Sequence, residues 1–349
     1  MSTLRVVQRT SSRRDFIVAG KWPIALDAMG GDRAPSEIVS GGKKAVSDFG
    51  LSVILVGDPN EINNSGGPGS LPVIPASEVI AMDEDPAKGV RTKKDSSLVR
   101  CAEAVRDGKA KAMVSAGNTG AAMASALFRM GRLSGVSRPA IASPLPIPGH
   151  TPTVLLDSGA NAECQAEWLV QFAQMGAVFS RVRYEIERPR VALLSIGEEP
   201  TKGSPLIKET HKMLAALGPS SGFDFIGNVE GRDLLDSVAD VIVTDGFTGN
   251  VALKTLEGGL KFVMKTVLGA MSATDEAKAA AEVLLPYLLP VATELDPETT
   301  GGAMLLGVDG VCIISHGSSS ATAVVNALKV ADELVERDIV AQVAAAIKS

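Results

Sequence analysis

Two turns in this sequence combine glycine with hydroxyl and amide side chains, the residue types best suited to hold an anion. They are formed by Gly117, Asn118, Thr119 and Gly120 and by Gly317, Ser318 and Ser319. Each turn lies between an apolar run and a helical pattern, where free backbone N–H groups and the positive end of a helix dipole attract phosphate. One such turn alone is more simply a tight turn or a helix cap, whereas several together favour a phosphate site.

Three other side chains in such turns are suited to chemistry. Lys202 lies in a Pro-Thr-Lys-Gly loop and is suited to bind a phosphate oxygen as a point charge, although solvation explains an exposed lysine equally well. Asp245 is suited to orient a ligand or a cation, or to cap a helix. His316 is suited to donate to an oxyanion or a leaving thiolate, or to a structural role. The remaining candidates in these loops are Asp27, Asp32, Asp157, Asn161 and Asn250.

Familiar cofactor and nucleophile signatures are absent from the sequence. It has no G-x-x-x-x-G-K-[ST] motif, and no G-x-G-x-x-G follows the first apolar run, so nucleotide hydrolysis and a nicotinamide cofactor are unsupported. It has no G-x-S-x-G either, and a covalent acyl-enzyme is not indicated. Cys101, Cys164 and Cys312 lie far apart, with no histidine at metal-ligand spacing. We expect no cofactor and no metal.

The elements that position these turns follow one pattern from Pro23 onward, in which short apolar runs such as Ala112–Val114 and Val241–Val243 end in polar turns before helical segments. Continuously apolar runs predict strands buried on both faces of a mostly parallel sheet, with helices on each side. Right-handed crossovers would place six polar turns at one edge of that sheet. We predict a single α/β domain over residues 22–349.

Composition narrows the classes of partner. Hydrophobic residues make up 45% and charged residues 21% of the chain, as in a packed globular protein. A net charge of −6 and an aromatic content of 4% argue against nucleic acid. No apolar run reaches the roughly 18–20 residues that span a bilayer. The scattered cysteines suit a reducing compartment, and we expect a cytoplasmic protein.

The first 21 residues contain Ser11-Ser-Arg-Arg-Asp-Phe16, which is similar to a twin-arginine export signal. The apolar stretch that follows is too short for such a signal. We predict a disordered extension over residues 1–21, with an organelle transit peptide as the alternative.

Residues 251–297 interrupt the alternation of strands and helices. Two helical stretches follow each other there without a strand, and the second contains Pro286 and Pro290, which cannot continue a regular helix. We predict a helical protrusion that serves as a dimer contact, as a membrane-surface contact or in ordinary packing. Its apolar stripe consists of Leu253, Leu256, Leu260, Met264 and Val267.

Several long strings of residues resemble the phosphate acyltransferase family of bacterial phospholipid synthesis, and they occur in the family's order over roughly residues 23 to 335. They are Asp27-Ala-Met-Gly-Gly-Asp32, Lys93-Lys-Asp-Ser-Ser97, Ser115-Ala-Gly-Asn-Thr-Gly-Ala121, Asp157-Ser-Gly-Ala-Asn161, Phe225-Ile-Gly-Asn-Val-Glu-Gly231, Thr244-Asp-Gly-Phe-Thr-Gly-Asn250, Lys254-Thr-Leu-Glu-Gly258 and His316-Gly-Ser-Ser319. The family's usual Lys-Lys-Asn-Ser-Ser has Asp95 here, which weakens a cationic role for that stretch.

The resemblance implies a reaction in which inorganic phosphate attacks the thioester of an acyl-acyl-carrier-protein and releases an acyl phosphate for the next, glycerol-3-phosphate acyltransferase. It implies a homodimer with a Rossmann-like three-layer α/β/α fold related to phosphotransacetylases, acting in the cytoplasm and at the inner face of the membrane. Lys202 and Asp245 match the family's active site. With Asn118 and His316 they form the predicted catalytic set.

Acyl carrier protein is acidic, and a group of basic residues surrounds the first anion turn in the sequence. We predict a docking surface for it there, with ordinary solvated helix faces as the alternative. The group consists of Arg91, Lys93, Lys94, Arg129 and Arg132.

Two other functions remain open at the level of sequence. A metal- and nicotinamide-dependent 2-hydroxyacid dehydrogenase could share such a sheet, but it should show a dinucleotide loop and an aspartate cluster. A carrier-protein-binding scaffold would bind the same ligands without turnover.

Overall fold

The computed structural model describes residues 22–348, so the predicted extension over residues 1–21 lies outside the described part of the chain. The strands are β1 Ile24–Asp27, β2 Val53–Gly57, β3 Val73–Pro75, β4 Ala112–Ser115, β5 Ala140–Leu145, β6 Thr153–Leu156, β7 Arg190–Leu194, β8 Asp224–Val229, β9 Val241–Val243, β10 Ala303–Leu306 and β11 Val311–Ile314. The helices are α1 Ser36–Phe49, α2 Pro59–Asn64, α3 Pro86–Thr92, α4 Ser97–Arg106, α5 Thr119–Ser125, α6 Ala166–Tyr184, α7 Pro205–Leu217, α8 Gly246–Met271, α9 Asp275–Glu294, α10 Ala321–Glu336 and α11 Ile339–Lys348.

The strands form one sheet in the order β3-β2-β1-β4-β11-β10-β5-β6-β9-β7-β8. The five strands from β3 to β11 are parallel to one another, and so are the four from β6 to β8. Between the two groups, β10 is antiparallel to β11 and to β5, and β5 is antiparallel to β6. The predicted mostly parallel sheet is confirmed.

Three successive antiparallel pairings reverse the strand direction, so the two parallel groups run in opposite directions. The prediction that all six polar turns lie at one edge is therefore wrong. Ile313, Met304, Ala142 and Leu156 are paired in a single row across β11, β10, β5 and β6. Both groups end near this row from opposite sides, and three strand spacings separate β11 from β6 by about 14 Å.

Helices cover both faces of the sheet, which confirms the three-layer arrangement. One apolar cluster includes Ile38 of α1, Leu169 of α6 and Leu328 of α10. A second cluster on the other face includes Leu98 and Val99 of α4. Most strands are buried along their whole length, as β4, β6 and β9 illustrate, because continuous apolar runs have no face to offer to water.

The helices α8 and α9 form the predicted protrusion, and α8 begins at Gly246 rather than near residue 251. Contrary to the expectation from its prolines, α9 continues through Pro286 and Pro290. Both prolines are exposed, so water can bond the carbonyl groups that lose their helical partners. Among residues 22–348, no helix is both long and apolar enough to cross a membrane.

Candidate active site

The turns after β1, β4 and β11 are joined by hydrogen bonds into one unit. Ser115 Oγ donates to Asp27 Oδ2 at 2.6 Å, and the Gly117 N–H donates to Ser115 Oγ at 3.0 Å. The Asp32 N–H donates to the Gly317 carbonyl at 2.7 Å. A Cβ at Gly30 would lie 2.4 Å from Asp27 Oδ2, so the close approach of these turns requires glycine there.

Asp27 is the buried centre of this unit. Its side chain is fully buried, and burial raises the pKa of Asp27 above the ordinary value, while the hydrogen bond from Ser115 limits the rise. The carboxylate has no contact with solvent and holds the neighbouring turns in position, and its part in ligand binding stays a prediction.

Both the nitrogen and the oxygen of the Asn118 side-chain amide form hydrogen bonds. Its Nδ2 lies 3.1 Å from each of the carbonyl oxygens of Ala81, Met82 and Glu84, and its Oδ1 accepts from the Ala121 N–H at 3.0 Å. The side chain is buried. Asn118 therefore holds the segment around residue 82 against the start of α5, and its catalytic role stays a prediction.

Most polar groups of the turn that precedes α10 also form hydrogen bonds within the protein. Ser319 Oγ donates to the His316 carbonyl at 2.6 Å, and its side chain is buried. At the start of α10 the Ala321 N–H donates to Glu37, and Ser320 donates to Glu298. These carboxylates already compensate the positive end of the helix dipole. The Ser319 hydroxyl is thus already bonded within the turn whereas Ser318 is exposed, and Gly317, Ser318 and Ser319 stay predicted phosphate contacts.

Asp157 plays the corresponding part in the second group of strands. Its Oδ1 accepts from the N–H groups of Ile141, Gly159 and Ala160, and its Oδ2 accepts from the N–H and Nδ2 of Asn161, all within 3.1 Å. Burial raises the pKa of Asp157, and these donors limit the rise. Asp157 and Asn161 therefore shape the turn after β6.

Asp245 is the N-cap of α8, accepting from the N–H and the hydroxyl of Thr248 at 2.8 Å each. Lys202 lies in the turn after β7 with an exposed side chain, whose stem packs over Gly197. Neither residue lines the cavity described next. No ion pair is formed by Lys202 within residues 22–348.

A cavity of about 410 Å³ lies between α8, the end of α9 and the strands β5 and β10. Its polar residues come from both strand groups and from α8, and its other walls are mainly apolar. The polar ones include Thr119, Ser143, Ser158, Asn250, Glu257, Ser315 and His316. The apolar ones include Ile141, Leu145, Leu253, Leu256, Leu260, Met264, Ala292 and Leu295.

A small polar cluster lies where α8 passes the turn after β11. His316 Nε2 is 3.6 Å from Glu257 Oε1, and Lys254 Nζ donates to Glu257 Oε2 at 2.8 Å. Burial lowers the pKa of His316, while the charge of Glu257 opposes that shift. The lowered pKa favours the neutral imidazole, which carries one N–H donor.

The cavity gathers some of the residues predicted from sequence and omits others. Of the predicted site residues, His316, Thr119 and Asn250 line it. Four residues of the predicted apolar stripe also line it: Leu253, Leu256, Leu260 and Met264. Val267 lies outside the lining and is 40% exposed.

Ser143, Ser158, Ser315 and Glu257 line the cavity and were not predicted. Ser158, Ser315 and Glu257 lie beside or within motifs that the sequence displays, so their position in these turns was a usable signal. Ser143 lies within strand β5, where its Oγ is 2.6 Å from Ser158 Oγ, and the sequence offers no sign of that contact.

Comparison with known proteins now identifies the family. The model of a family described as fatty acid synthesis protein matches residues 22–342. A phosphate acyltransferase of Elusimicrobium minutum is 47% identical over 327 residues, which cover 92% of this chain and 94% of that protein. The chain belongs to the phosphate acyltransferase family.

Solved structures extend the comparison to the fold of this phosphate acyltransferase family member. EutD phosphotransacetylase from Staphylococcus aureus is 15% identical with a TM-score of 0.59, covering 92% of this chain and 96% of its own. A 4-hydroxythreonine-4-phosphate dehydrogenase from Klebsiella pneumoniae is 13% identical with a TM-score of 0.51, covering 89% and 98%. The predicted likeness to the phosphotransacetylase fold is confirmed, and a dehydrogenase shares that fold, so the fold alone does not select the activity.

The basic residues predicted for carrier docking in this phosphate acyltransferase family member divide into two sets. Lys93 Nζ lies 2.5 Å from Glu84 Oε2, and Arg129 Nε lies 3.9 Å from Glu103 Oε1. Arg91, Lys94 and Arg132 are exposed. The charges of Lys93 and Arg129 are thus partly neutralised within the protein. Fewer of the predicted basic residues therefore remain available to an acidic partner than the sequence suggests.

The three thiols are poor nucleophiles. Burial raises the pKa of Cys164 and of Cys312 to about 12, and it raises the pKa of Cys101 well above its usual value. A thiol with such a pKa stays protonated at neutral pH, and only the thiolate attacks a thioester efficiently.

The start of α8 gives a prediction about stability. A Cβ at Gly249 would lie 1.9 Å from the Asp157 carbonyl oxygen, so Gly249→Ala must separate α8 from the turn after β6. We expect a loss of about 3 kcal/mol in the free energy of unfolding, measured by urea denaturation. Gly258→Ala on the same helix is the matched control, since a Cβ there meets no atom within 4 Å, and it should be neutral or stabilising. Equal stability of the two variants would contradict the close contact.

Proposed function

We propose that this acyltransferase holds the acyl chain of an acyl-acyl-carrier-protein in the cavity while inorganic phosphate binds at the polar turns beside it. A phosphate oxygen bonds to the thioester carbonyl carbon, the carbon–sulfur bond breaks, and the carrier thiolate leaves and takes up a proton. The product is an acyl phosphate for phospholipid synthesis. The membership of the phosphate acyltransferase family supports the reaction.

One observation carries the proposal at the level of the site. The apolar cavity bears Thr119, Ser315 and His316 from one strand group and Ser158 and Asn250 from the other, so an acyl chain and an anion can be held side by side. Holding two reactants in attack geometry removes much of the entropic cost of a bimolecular step. Phosphate is itself a nucleophile, which agrees with the protonated state of the buried thiols.

His316 is the donor that we assign to the developing negative charge. A neutral imidazole N–H beside the cavity can stabilise the carbonyl oxygen as it becomes an oxyanion, or the departing sulfur. Glu257 lies within 3.6 Å of His316 Nε2, and this contact restricts the orientation of the ring.

Lys202 and Asp245 keep the place in the active site that the family resemblance implies, but we assign them different roles. The Lys202 ammonium is exposed and forms no ion pair in the described part of the chain, so it is available to a phosphate oxygen. Asp245 caps α8 and thereby places Asn250 beside the cavity. We therefore propose Lys202 as a phosphate ligand and Asp245 as a positioning residue.

Turnover tests the reaction directly. Incubation of the protein with palmitoyl-acyl-carrier-protein and phosphate should release free carrier protein and an acyl phosphate, which hydroxylamine traps as the hydroxamate. Lys202→Gln should lower kcat/KM about a hundredfold, because a charge that stabilises the transition state is lost. Lys208→Gln, which removes an exposed lysine from the nearby helix α7, should leave turnover unchanged. Ligand binding without release of carrier protein by the unmodified enzyme would favour a non-catalytic scaffold.

The carrier-protein surface is proposed to centre on Arg91, Lys94 and Arg132, the predicted basic residues that remain exposed. An acidic carrier would be attracted there, since complementary charge accelerates association. Lys93 contributes less because its ammonium group donates a hydrogen bond to Glu84 and forms an ion pair with it, and the same contact lowers the pKa of Glu84.

Charge reversal tests this surface. Arg91→Glu combined with Lys94→Glu should raise the KM for acyl-acyl-carrier-protein about tenfold at low ionic strength and leave kcat nearly unchanged. The KM for phosphate should not move. Lys212→Glu, on the exposed side of α7, is the matched control. An unchanged KM for the carrier substrate in the double variant would place docking elsewhere.

The exposed apolar surface of α8 and α9 supports the dimer and membrane proposals. Phe262 is 71%, Val283 68% and Tyr287 76% exposed, and apolar surface of this extent marks a protein or membrane contact. We propose that the hairpin pairs two copies into a homodimer. We propose further that its tip touches the inner face of the membrane, where a cytoplasmic enzyme would pass its product to the glycerol-3-phosphate acyltransferase.

Vesicle flotation tests the membrane contact. Leu268 lies in the last turn of α8 and is 49% exposed, so Leu268→Asp together with Val267→Asp should abolish flotation with anionic vesicles. Thr293→Asp, at the other end of α9, should float as the unmodified protein does. Light scattering of the same variants reports whether the dimer persists. Flotation that survives the double substitution would end the membrane proposal.

A further inference from the structure

The longest wall of the cavity is a single face of α8. Asn250, Leu253, Leu256, Leu260 and Met264 line it at spacings of three and four residues, which is the repeat of one helical face. On the opposite side, Ala292 and Leu295 at the end of α9 complete the apolar lining. The cavity therefore follows the axis of α8 away from the sheet.

The chemical character of this wall changes along the helix. Asn250 lies in the first turns of α8, where a Cβ at Gly159 would be 3.7 Å from its side chain. Glu257 lies two turns later and contacts His316. Beyond it, the wall is formed by Leu260 and Met264, with the exposed Lys261 between them. The reacting groups thus lie towards the start of α8, and the apolar end lies beyond Leu260.

The length of this face is comparable with that of a long acyl chain. From Asn250 to Met264 the helix advances fourteen residues, or about 21 Å. A zigzag of carbon–carbon bonds of about 1.5 Å advances roughly 1.3 Å per atom, so about sixteen carbon atoms span the same distance. Met264 is 37% exposed, so the far end is not sealed and its side chains decide how much of the tail is covered.

We propose that Leu260 and Met264 set the acyl-chain length that this enzyme accepts. This inference rests on the proposed binding of the acyl chain in the cavity. A larger side chain at either position fills space that the terminal methylenes occupy and leaves them in water, and each buried methylene is worth about fourfold in affinity. One turn of helix, about 5.4 Å, separates the two residues, which corresponds to roughly four methylenes.

Tryptophan substitution tests the assignment. The values of kcat/KM are measured with decanoyl- and palmitoyl-acyl-carrier-protein for Leu260→Trp and Met264→Trp. For Leu260→Trp we expect the ratio of palmitoyl to decanoyl kcat/KM to fall by at least about tenfold, since several methylenes lose their contacts. Met264→Trp, one turn farther, should lower the ratio less. Thr266→Trp adds the same ring to α8 at an exposed position outside the lining and should leave the ratio unchanged.

The outcomes separate this inference from the proposed function. If the unmodified enzyme forms no acyl phosphate from either substrate, the proposed function is contradicted. An active enzyme whose ratio is unchanged in both Leu260→Trp and Met264→Trp would overturn the inference and leave the function standing. Retained turnover of the decanoyl substrate shows that a variant is folded. If neither tryptophan variant folds, Leu260→Ala decides: it should raise relative turnover of the octadecanoyl substrate several-fold, and no rise would contradict the inference.

Discussion

Strand direction reverses at β10 and β5, and the arrangement of the site depends on that reversal. Strand β10 is antiparallel to both of its neighbours, and β5 is antiparallel to β6. The two parallel groups therefore run in opposite directions, and their carboxyl ends approach the same row of residues from opposite sides. Turns from both groups then border a cavity that extends across the middle strands. A sheet that was parallel throughout would present all of its turns along one edge, with no apolar wall between them.

A buried aspartate lies at the end of the first strand of each group, as the last residue of β1 or directly after β6, and organises the neighbouring turns. Asp27 accepts from Ser115, and Asp157 accepts from Ile141 and from the turn that it begins. Burial alone would disfavour these charges, as the raised pKa of each shows, and convergent N–H and O–H donors offset that cost. The two carboxylates make the turns rigid, so the groups beside the cavity are held in place before a ligand arrives.

One helix serves the chemistry and the surface at once. The face of α8 with Leu253 and Leu256 packs towards β5 and lines the cavity, while the face with Phe262 and Leu268 is exposed. Any partner that covers the exposed face would lie against the helix that forms the wall of the proposed acyl site. A second copy or a membrane would thus bind to the same helix that borders the cavity, although it would contact different side chains.

The sequence by itself determined the six strands that end in polar turns, the mostly parallel sheet, the helical pair and the family, because these depend on local periodicity and on strings of adjacent residues. It did not predict the other five strands, among them β5 and β10, where the direction reverses. Only the tertiary structure decided which polar residues are free. Asn118 is bound to a carbonyl 37 residues away, and Asp157 to an N–H 16 residues away. Contacts between residues so far apart produce no repeating pattern in the sequence. The reversal of direction has the same cause: the pairing of Met304 with Ala142 joins residues far apart in the chain, and such pairings follow from packing the whole sheet.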